Sequence, residues 1–505
     1  MCRKILLIAV LIVMVLMVRQ ASAKDFTLFG EPLSLLGYVS QNVGYSLKGE
    51  HYDTEKDFQT ALFNIFLEGK YTPYKDLQLY ASTKLTGDWI YLLKDDDRSW
   101  NNKLFDKSKG HLSLDDKYWQ ILNEAHLTWS TGKSLVRVGK QIVSWGQTDG
   151  FRLMDQINPL DQRRGFADVE FENTIIPIWL VRAEYYAPVM SKWLQEIGVQ
   201  FIFNPNADFI RNQEIQLGND VGGIWAPNVE IPLGGPFPFD FARLGSAYQN
   251  IKEPHRFNYK GYEYGLKAEA VIYDAVVTLN GYYGLDKDPE MISSPIAPLT
   301  SAASDKRLLL HPFLEGFFPR FQFVGATFTR EVPFLRIPFG GSPSPVIRLE
   351  SIYAFNTTFV TALNTFEKHD ELRWAIGVDW KMKINFLNPK AMFSIGPQFY
   401  QRTIMNFPHG YGLTYASAPV EKNNYMTTLF ISTSYLNAKL SPSFFWMYDI
   451  NNRAHFIKPQ IEYSYTSNWR FTLGGMFFLG KEKGKSFQLF ENKDQVFFKV
   501  EYRWS

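Results

Sequence analysis

Hydrophobic and polar residues alternate strictly along one segment of the chain, from Leu372 to Phe386. The even-numbered positions carry large apolar residues, whereas the odd-numbered positions carry small, amide or charged residues. Because successive side chains of a β-strand point to opposite faces, this alternation predicts one strand with an apolar face and a polar face. Such a strand suits a soluble sandwich, with a core on one side, and it equally suits a membrane barrel, with lipid outside and a wet lumen inside.

The same alternation recurs along the chain and ends only at the last residues. From Val496 to Trp504, Val, Phe, Val, Tyr and Trp alternate with Phe, Lys, Glu and Arg. The pattern predicts eighteen strands, near residues 33–47, 58–72, 76–92, 118–130, 134–146, 174–187, 194–205, 257–271, 274–286, 320–333, 345–360, 371–386, 390–404, 422–436, 439–450, 455–467, 469–480 and 494–505.

The predicted connections alternate in length, and this decides between the two kinds of sheet. Connections after even-numbered strands are mostly short, and those after odd-numbered strands are mostly long, although 334–344 and 451–454 break the rule. Long loops on one side and short turns on the other are typical of outer-membrane barrels, whereas a sandwich gives no reason for them. We therefore predict an all-β fold: a transmembrane antiparallel β-barrel of about 18 strands (16–18), with long extracellular loops and short periplasmic turns.

The first residues predict export. A positively charged start is followed by an apolar run from Ile5 to Val18 and by the small residues Ala21–Ser22–Ala23. This is the layout of a secretory signal peptide, and the run is shorter than the roughly 20 apolar residues of a spanning helix. We expect residues 1–23 to be the signal peptide, with cleavage after Ala23, and residues 24–505 to form a single barrel domain in the bacterial outer membrane.

Composition excludes several classes of protein. The only cysteine, Cys2, lies in the predicted signal peptide, so the mature chain has no disulfide and no soft-metal site. Without that peptide, 50 basic residues face 51 acidic ones, which gives no field to attract nucleic acid. No run of 18 apolar residues follows Val18, and aromatic residues make up 16% of the chain, as aromatic girdles require. We predict no cofactor, no metal and no nucleic-acid partner.

The closing residues predict the partners of the chain. It ends on Tyr502–Arg503–Trp504–Ser505, and so on an amphipathic strand with an aromatic residue next to its end. This ending resembles that of other outer-membrane barrels, whose assembly machinery reads the terminal strand. The resemblance implies that the lipid bilayer and the barrel-assembly machinery are partners. A periplasmic or inner-membrane transport partner is also compatible with the sequence.

The segment from Val136 to Arg164 carries a distinctive series of residues: Arg137, Gly139 and Gln141 on a strand, then Trp145–Gly146, then Asn158–Pro159 and Asp161. It resembles a large, poorly characterised family of proteobacterial outer-membrane barrels of unknown function. In that family a strand reading R-x-G-x-Q leads into Trp-Gly and then into an Asn-Pro-x-Asp loop. The layout is also similar to that of the alginate-export porins. The resemblance implies an outer-membrane channel and leaves its cargo open.

Charged residues suggest what lines the channel. Arg137 and Gln141 fall on the polar face of the fifth strand, whereas Lys140 falls on the apolar face, where a charge is tolerated near an interface or beside a bulge. The loop 147–173 carries both signs of charge, which suits either a constriction folded into the lumen or a solvated surface loop. The candidate lumen and constriction residues are Arg137, Gln141, Asp149, Asp155, Asp161, Arg163, Arg164, Arg373, Asp379, Lys381 and Lys383.

Two extracellular stretches are unusually apolar. Residues 222–239 combine Pro and Gly with Trp225, Phe237 and Phe239, and a second stretch runs from Leu308 to Phe318. Loops in water are normally polar, so these side chains need cover. Either the two stretches cover each other over the barrel mouth, or they line a pocket for a hydrophobic or amphipathic solute.

These features predict a porin-like channel for the diffusion, export or import of solutes. A barrel that binds a partner through its long loops, with a blocked lumen, is the alternative. A barrel hydrolase is a third hypothesis with little support, because His126 and Glu124 lie on the polar face, away from the lipid. We therefore expect no enzymatic activity and no catalytic residues.

Overall fold

The computed structural model describes residues 26–48, 58–93, 112–161, 164–167, 174–189, 191, 193–205, 225, 249–252, 257–293, 314–335, 342–415, 418–482 and 484–504. Within these ranges, eighteen antiparallel strands pair in chain order and form one closed barrel. The strands are β1 (Glu31–Ser46), β2 (Phe58–Tyr74), β3 (Leu77–Asp88), β4 (Leu122–Ser130), β5 (Ser134–Gln141), β6 (Ile178–Pro188), β7 (Leu194–Asn204), β8 (Glu263–Ile272), β9 (Ala275–Leu285), β10 (Arg320–Glu331), β11 (Val346–Thr361), β12 (Phe366–Met382), β13 (Phe393–Ile404), β14 (Asn423–Ser432), β15 (Leu440–Asp449), β16 (Ala454–Ser464), β17 (Trp469–Gly480) and β18 (Gln495–Trp504).

The barrel closes where the last strand meets the first. In this seam β18 runs antiparallel to β1, with Trp504 opposite Gly37 and Tyr502 opposite Val39. Gly37 leaves room for the indole of Trp504, since a Cβ atom there would lie 2.4 Å from the ring. The predicted barrel is therefore closed by its terminal strand.

Burial separates the two faces of the wall. In β12 the odd-numbered residues Glu371, Arg373 and Ala375 are buried inside the barrel. On the outer face, large apolar side chains such as Leu279 and Leu473 are more than half exposed, at 63% and 54%. The alternation in the sequence therefore corresponds to a lipid-facing exterior and a filled interior.

The predicted strands are all present, but some bounds differ. The fifth strand ends at Gln141 instead of residue 146, because the chain turns into the lumen there. The fourth begins at Leu122, since Tyr118–Ile121 forms a helical turn. The twelfth begins at Phe366 instead of residue 371, which shortens the preceding extracellular loop to 362–365. Polar residues in 367–370 interrupt the apolar alternation and conceal this part of the strand.

Short strands, helical turns and 3-10 helices lie at the two ends of the barrel. Gln249–Lys252, near the end of the longest loop, pairs in parallel with Leu314–Phe317 of the second apolar stretch. The remaining short elements are the strands Phe26–Leu28, Glu290–Ser293, Leu413–Tyr415 and Ala418–Val420, the helical turns Ile90–Leu93 and Tyr118–Ile121, and the 3-10 helices Gly165–Ala167, Pro333–Leu335 and Ser486–Lys493. No helix in the described ranges has the length and apolarity needed to cross a membrane.

Removal of the last four residues tests the seam. Deleting Tyr502 to Ser505 removes the β18 residues that pair with β1 from Gly37 to Val39. Unpaired backbone groups in lipid cost several kcal/mol each, so we expect the deletion to abolish folded protein in the outer membrane. The measurement is the heat-dependent shift in gel mobility that folded barrels show. Deletion of Ser505 alone is the control, and normal folding of the longer deletion would contradict this seam.

Candidate functional site

After β5 the chain leaves the wall and enters the lumen. We call residues 142–177 the inserted segment, of which 142–161, 164–167 and 174–177 are described. Asn158 holds its two ends together: its Oδ1 accepts the N–H of Val143 at 2.8 Å. Its Nδ2 donates to the carbonyls of Gln141 at 3.1 Å and Ile176 at 3.0 Å. The segment therefore starts and ends at a fixed neck beside β5 and β6.

A single carboxylate holds the tip of the inserted segment, residues 147–154, against β11. Glu350 of β11 is 1% exposed. Its Oε2 accepts the N–H groups of Gln147 at 2.8 Å and Thr148 at 3.2 Å, together with the Thr148 hydroxyl at 3.1 Å. Its Oε1 accepts the N–H of Met154 at 2.8 Å. Three backbone donors and one hydroxyl thus converge on one buried side chain, which holds the tip against β11.

Charged groups nearer the periplasm add a second contact to the tip. Arg348 of β11 donates to Asp149 of the tip and to Asp379 of β12, each at 2.7 Å. Gln398 of β13 accepts the N–H of Asp149 and donates to its carboxylate, both at 3.1 Å. Asp155 stays within the segment, where its Oδ1 accepts the N–H groups of residues 145 and 146. The tip therefore bridges three adjacent strands of the wall.

Apolar side chains pack the inserted segment against the wall. Phe151 stacks on Tyr400 of β13 with ring centres 5.1 Å apart. Trp145 and Met154 join a buried cluster near the extracellular ends of β6 to β11, and the Trp145 indole also donates to Gln200. The other members of this cluster are Val143, Ile157, Ile178, Leu180, Ile202, Tyr282, Leu285, Phe318, Phe321, Phe323, Ile352 and Ala354.

A second apolar cluster fills the opposite side of the extracellular half. Trp225, from the longest loop, is 1% exposed in it, and its indole donates to Thr60 of β2 at 3.3 Å. Phe166 of the inserted segment contacts Phe456 and Phe478 of the wall. Beside this cluster Arg164 is buried and binds Asp115 at 3.0 Å. The inserted segment therefore contacts walls on both sides of the lumen.

A buried charge cluster lies on the lumen face between the tip and the extracellular rim. Glu371 binds the guanidinium groups of Arg373 and Arg402, which face each other on β12 and β13. Tyr415 covers both arginines, with its ring centre 5.5 Å from Arg373 and 4.4 Å from Arg402. Its hydroxyl donates to Asp286 at 2.6 Å. The two arginines thus share the carboxylate of Glu371. Tyr415, whose ring lies over both of them, connects them to the carboxylate of Asp286.

One acid in the loop after β9 holds its proton near neutral pH. Burial, together with the neighbouring Asp286, raises the pKa of Asp288 to about 7, against the lowering effect of Arg152 in the inserted segment. An acid with a raised folded pKa stabilises the fold in its protonated form. This contribution is complete below the ordinary pKa of 3.8, decreases as the pH rises, and is lost once the pH passes about 7.

The structure distributes the predicted residues among several places. Arg137 points into the lumen and donates to Thr128. Gln141 is buried at the neck, where it binds backbone carbonyls, and Asp161 lies there too. Lys140 stands at the end of β5 with its ammonium turned to the carbonyls of Trp119 and Leu122, so it exposes no charge to lipid.

Three further predicted positions need comment. Lys381 is exposed near the periplasmic end of β12, and Lys383 lies just past the end of that strand, in the periplasmic connection. The predicted twelfth strand, which ended at residue 386, therefore extends too far. The alternation continues past the true end of the strand, which explains this error. Arg163, Phe237 and Phe239 lie outside the described residues.

Catalytic groups were not expected, and the described residues contain no group of three potential metal ligands. His126 stacks on Tyr80 with ring centres 4.9 Å apart. Glu124 accepts the N–H of Ile142 at 3.1 Å, at the start of the inserted segment. Glu124 therefore has a structural contact at the neck.

The sequence is matched by the family described as "Protein of unknown function (DUF1302)" over residues 54–504. The chain belongs to this family. The resemblance to a poorly characterised outer-membrane barrel family is thereby confirmed. No curated protein matches the sequence.

Three solved structures are similar to this DUF1302 member over most of its length. A BenF-like porin from Pseudomonas fluorescens Pf-5 is 7% identical, over 94% of this chain and 98% of the porin, with a TM-score of 0.45. OccD3 (OpdP) of Pseudomonas aeruginosa is 9% identical, over 96% and 95%, with a TM-score of 0.44. OpdK of Pseudomonas aeruginosa, solved with vanillate, is 7% identical, over 93% and 98%, with a TM-score of 0.44. At these identities the likeness concerns the fold alone.

Replacement of Glu350 by Ala tests the tether of the inserted segment. The change removes the acceptor of three backbone N–H groups and one hydroxyl, and hydrogen bonds to a charged group stabilise by about 1.5–3 kcal/mol each. We expect the tip to leave β11 and the single-channel conductance in a planar bilayer to rise roughly twofold or more, because the lumen widens.

Glu462→Ala is the matched control for this substitution. Glu462 is a half-exposed acid on β16, and its partner Arg470 lies 3.8 Å away. Its removal should leave the conductance unchanged. If both variants conduct like the original protein, the inserted segment does not control the current path.

Proposed function

We propose that this protein is a porin-like channel of the bacterial outer membrane, in which the inserted segment narrows the path for solutes. The observation that carries the proposal is the convergence of three N–H groups on Glu350, which keeps the tip across the lumen. An 18-stranded barrel without such filling is wide enough for an open aqueous channel. A fixed internal segment is a physical means of making it selective.

We further propose amphipathic organic molecules as the solute class. Phe151 and Tyr400 stack near Arg373 and Arg402, so apolar and cationic groups lie close together along one wall. Phe151 and both arginines are buried, and the arginines are paired with Glu371, so a solute reaches these groups when the tip moves away from the wall. A solute with an apolar body and an anionic group would find partners for both parts along this wall. This neighbourhood favours such solutes over sugars, which lack the charge.

A barrel that binds a partner through its loops, with a closed lumen, is the second candidate. Trp225 and Phe166 support it, because they fill the extracellular half of the lumen with apolar contacts. The two candidates differ in conductance: a blocked barrel carries no steady current. Hydrolysis has no comparable support, since the histidine considered for it stacks on a tyrosine inside the barrel.

Two measurements on the purified protein, one in planar bilayers and one in liposomes, distinguish these candidate functions. In planar bilayers we expect a steady current of small conductance, which a blocked barrel would lack. In liposomes, an aromatic or alkyl carboxylate should enter faster than a neutral sugar of the same size, because the wall offers both rings and guanidinium groups. Equal rates would remove the proposed solute class while leaving the channel intact. An absence of current would favour the loop-binding alternative.

A further inference from the structure

Three successive periplasmic connections lie side by side and form one surface. They join β10 to β11, β12 to β13, and β14 to β15. In the middle connection Asn388 is 2% exposed, and its amide donates to Thr433 Oγ1 at 3.0 Å and to the Ser434 carbonyl at 2.8 Å. On the other side, the N–H of Lys383 donates to Ser342 Oγ at 3.1 Å. Side-chain hydrogen bonds therefore tie the middle connection to both neighbours.

This surface exposes large apolar side chains. Phe334 is 85% exposed, Phe386 86% and Leu436 64%, and they are accompanied by the half-exposed Leu335 and Leu387. We call these five residues the periplasmic patch. Turns that face water are normally polar, and neighbouring exposed apolar side chains usually mark an interaction site. The exposed side chains of the patch therefore indicate a binding site for another molecule.

The backbone at one position of the patch is held in an unfavourable conformation. Leu436 has a φ of +54°, and the next residues, Asn437 and Ala438, also have positive φ values. This left-handed region costs an ordinary residue about 1–2 kcal/mol, whereas glycine adopts it freely. A leucine in place of glycine at the tip of a turn keeps an exposed apolar side chain at a cost in stability.

The charged residues of the second and third connections all have one sign, and Glu331 is the acid that precedes the first connection. Residues 380–392 and 433–442 contain no Asp and no Glu. Their charged residues are Lys381, Lys383, Lys390 and Lys439. A complementary partner therefore offers an apolar surface bordered by acidic side chains.

The residue types distinguish a protein partner from the surrounding bilayer. Other periplasmic turns expose Tyr74, Trp193, Tyr273 and Tyr465, which are the residue types that anchor proteins at membrane interfaces. The patch instead presents Phe and Leu, which lack a polar tip for the headgroup region. Its five side chains are gathered on three adjacent connections, although Phe29 is also exposed at the periplasmic start of β1.

We propose that the periplasmic patch docks a periplasmic protein that carries acidic residues around an apolar surface. A passive channel needs no such partner, so this proposal stands apart from the proposed solute path.

Site-specific photocrosslinking in intact cells tests the docking. A benzophenone amino acid replaces Phe386 or Leu436 in the patch, and Tyr74 or Tyr465 in the control turns. Protein synthesis is stopped before irradiation, so that contacts with the assembly machinery are not sampled. We expect one adduct of protein mass at the patch positions and none at the control positions. The absence of a protein adduct at the patch, or adducts with phospholipid alone, would overturn the proposal.

The partner protein identified from the adduct is then purified on its own and titrated against the full barrel in nanodiscs. Phe334→Ser combined with Phe386→Ser should weaken binding about tenfold or more, as loss of central apolar anchors does. Tyr74→Ser should leave the affinity unchanged, and added salt should weaken binding to the original protein because the lysines contribute. Heat-dependent gel mobility verifies that each variant is folded. Equal affinities of the patch and control variants would reject docking at the patch.

Discussion

Closure of the sheet is the constraint on which the rest of this structure depends. In hydrocarbon every backbone N–H and C=O needs a partner within the protein, so an open sheet edge cannot persist. The seam between β1 and β18 satisfies both edges, and Gly37 makes it possible by admitting the indole of Trp504. Once the sheet is closed with eighteen strands, its interior is wide, and the protein must either leave it open to water or fill it.

The chain fills the extracellular half of this interior from its long loops. The inserted segment contributes Trp145, Met154 and Phe166, and the longest loop contributes Trp225, so the lumen acquires two apolar clusters of its own. Apolar burial alone does not fix the direction of a segment. The polar contacts do so, because Glu350 and Asn158 each bind backbone groups that only one path of the chain brings to them. Packing and hydrogen bonding thus act together inside the barrel.

The strands were predictable from the sequence, whereas the interior was not. Alternation of apolar and polar residues is a local signal, and lipid outside the wall enforces it in each strand, including the one around Arg373. It failed at Lys383 because a turn continued the alternation by chance. The role of Glu350 depends on residues 196 to 203 positions away, and no local pattern connects them. Asn158 belonged to a recognised motif, and its function as the clamp of the neck became visible only in the structure.

The distribution of contacts along the lumen also indicates which part of the inserted segment could move with the smallest loss of contacts. The neck is held within the segment itself by Asn158 and by backbone bonds between residues 159–161 and 174–176. The tip, by contrast, depends on groups of a different part of the chain, chiefly Glu350 and Arg348, and Arg348 also binds the half-exposed Asp379. Movement of the tip would therefore break contacts to the wall while preserving the neck. A segment whose base is held by its own bonds and whose tip is held by a few charged groups of the wall can therefore change position at its tip alone.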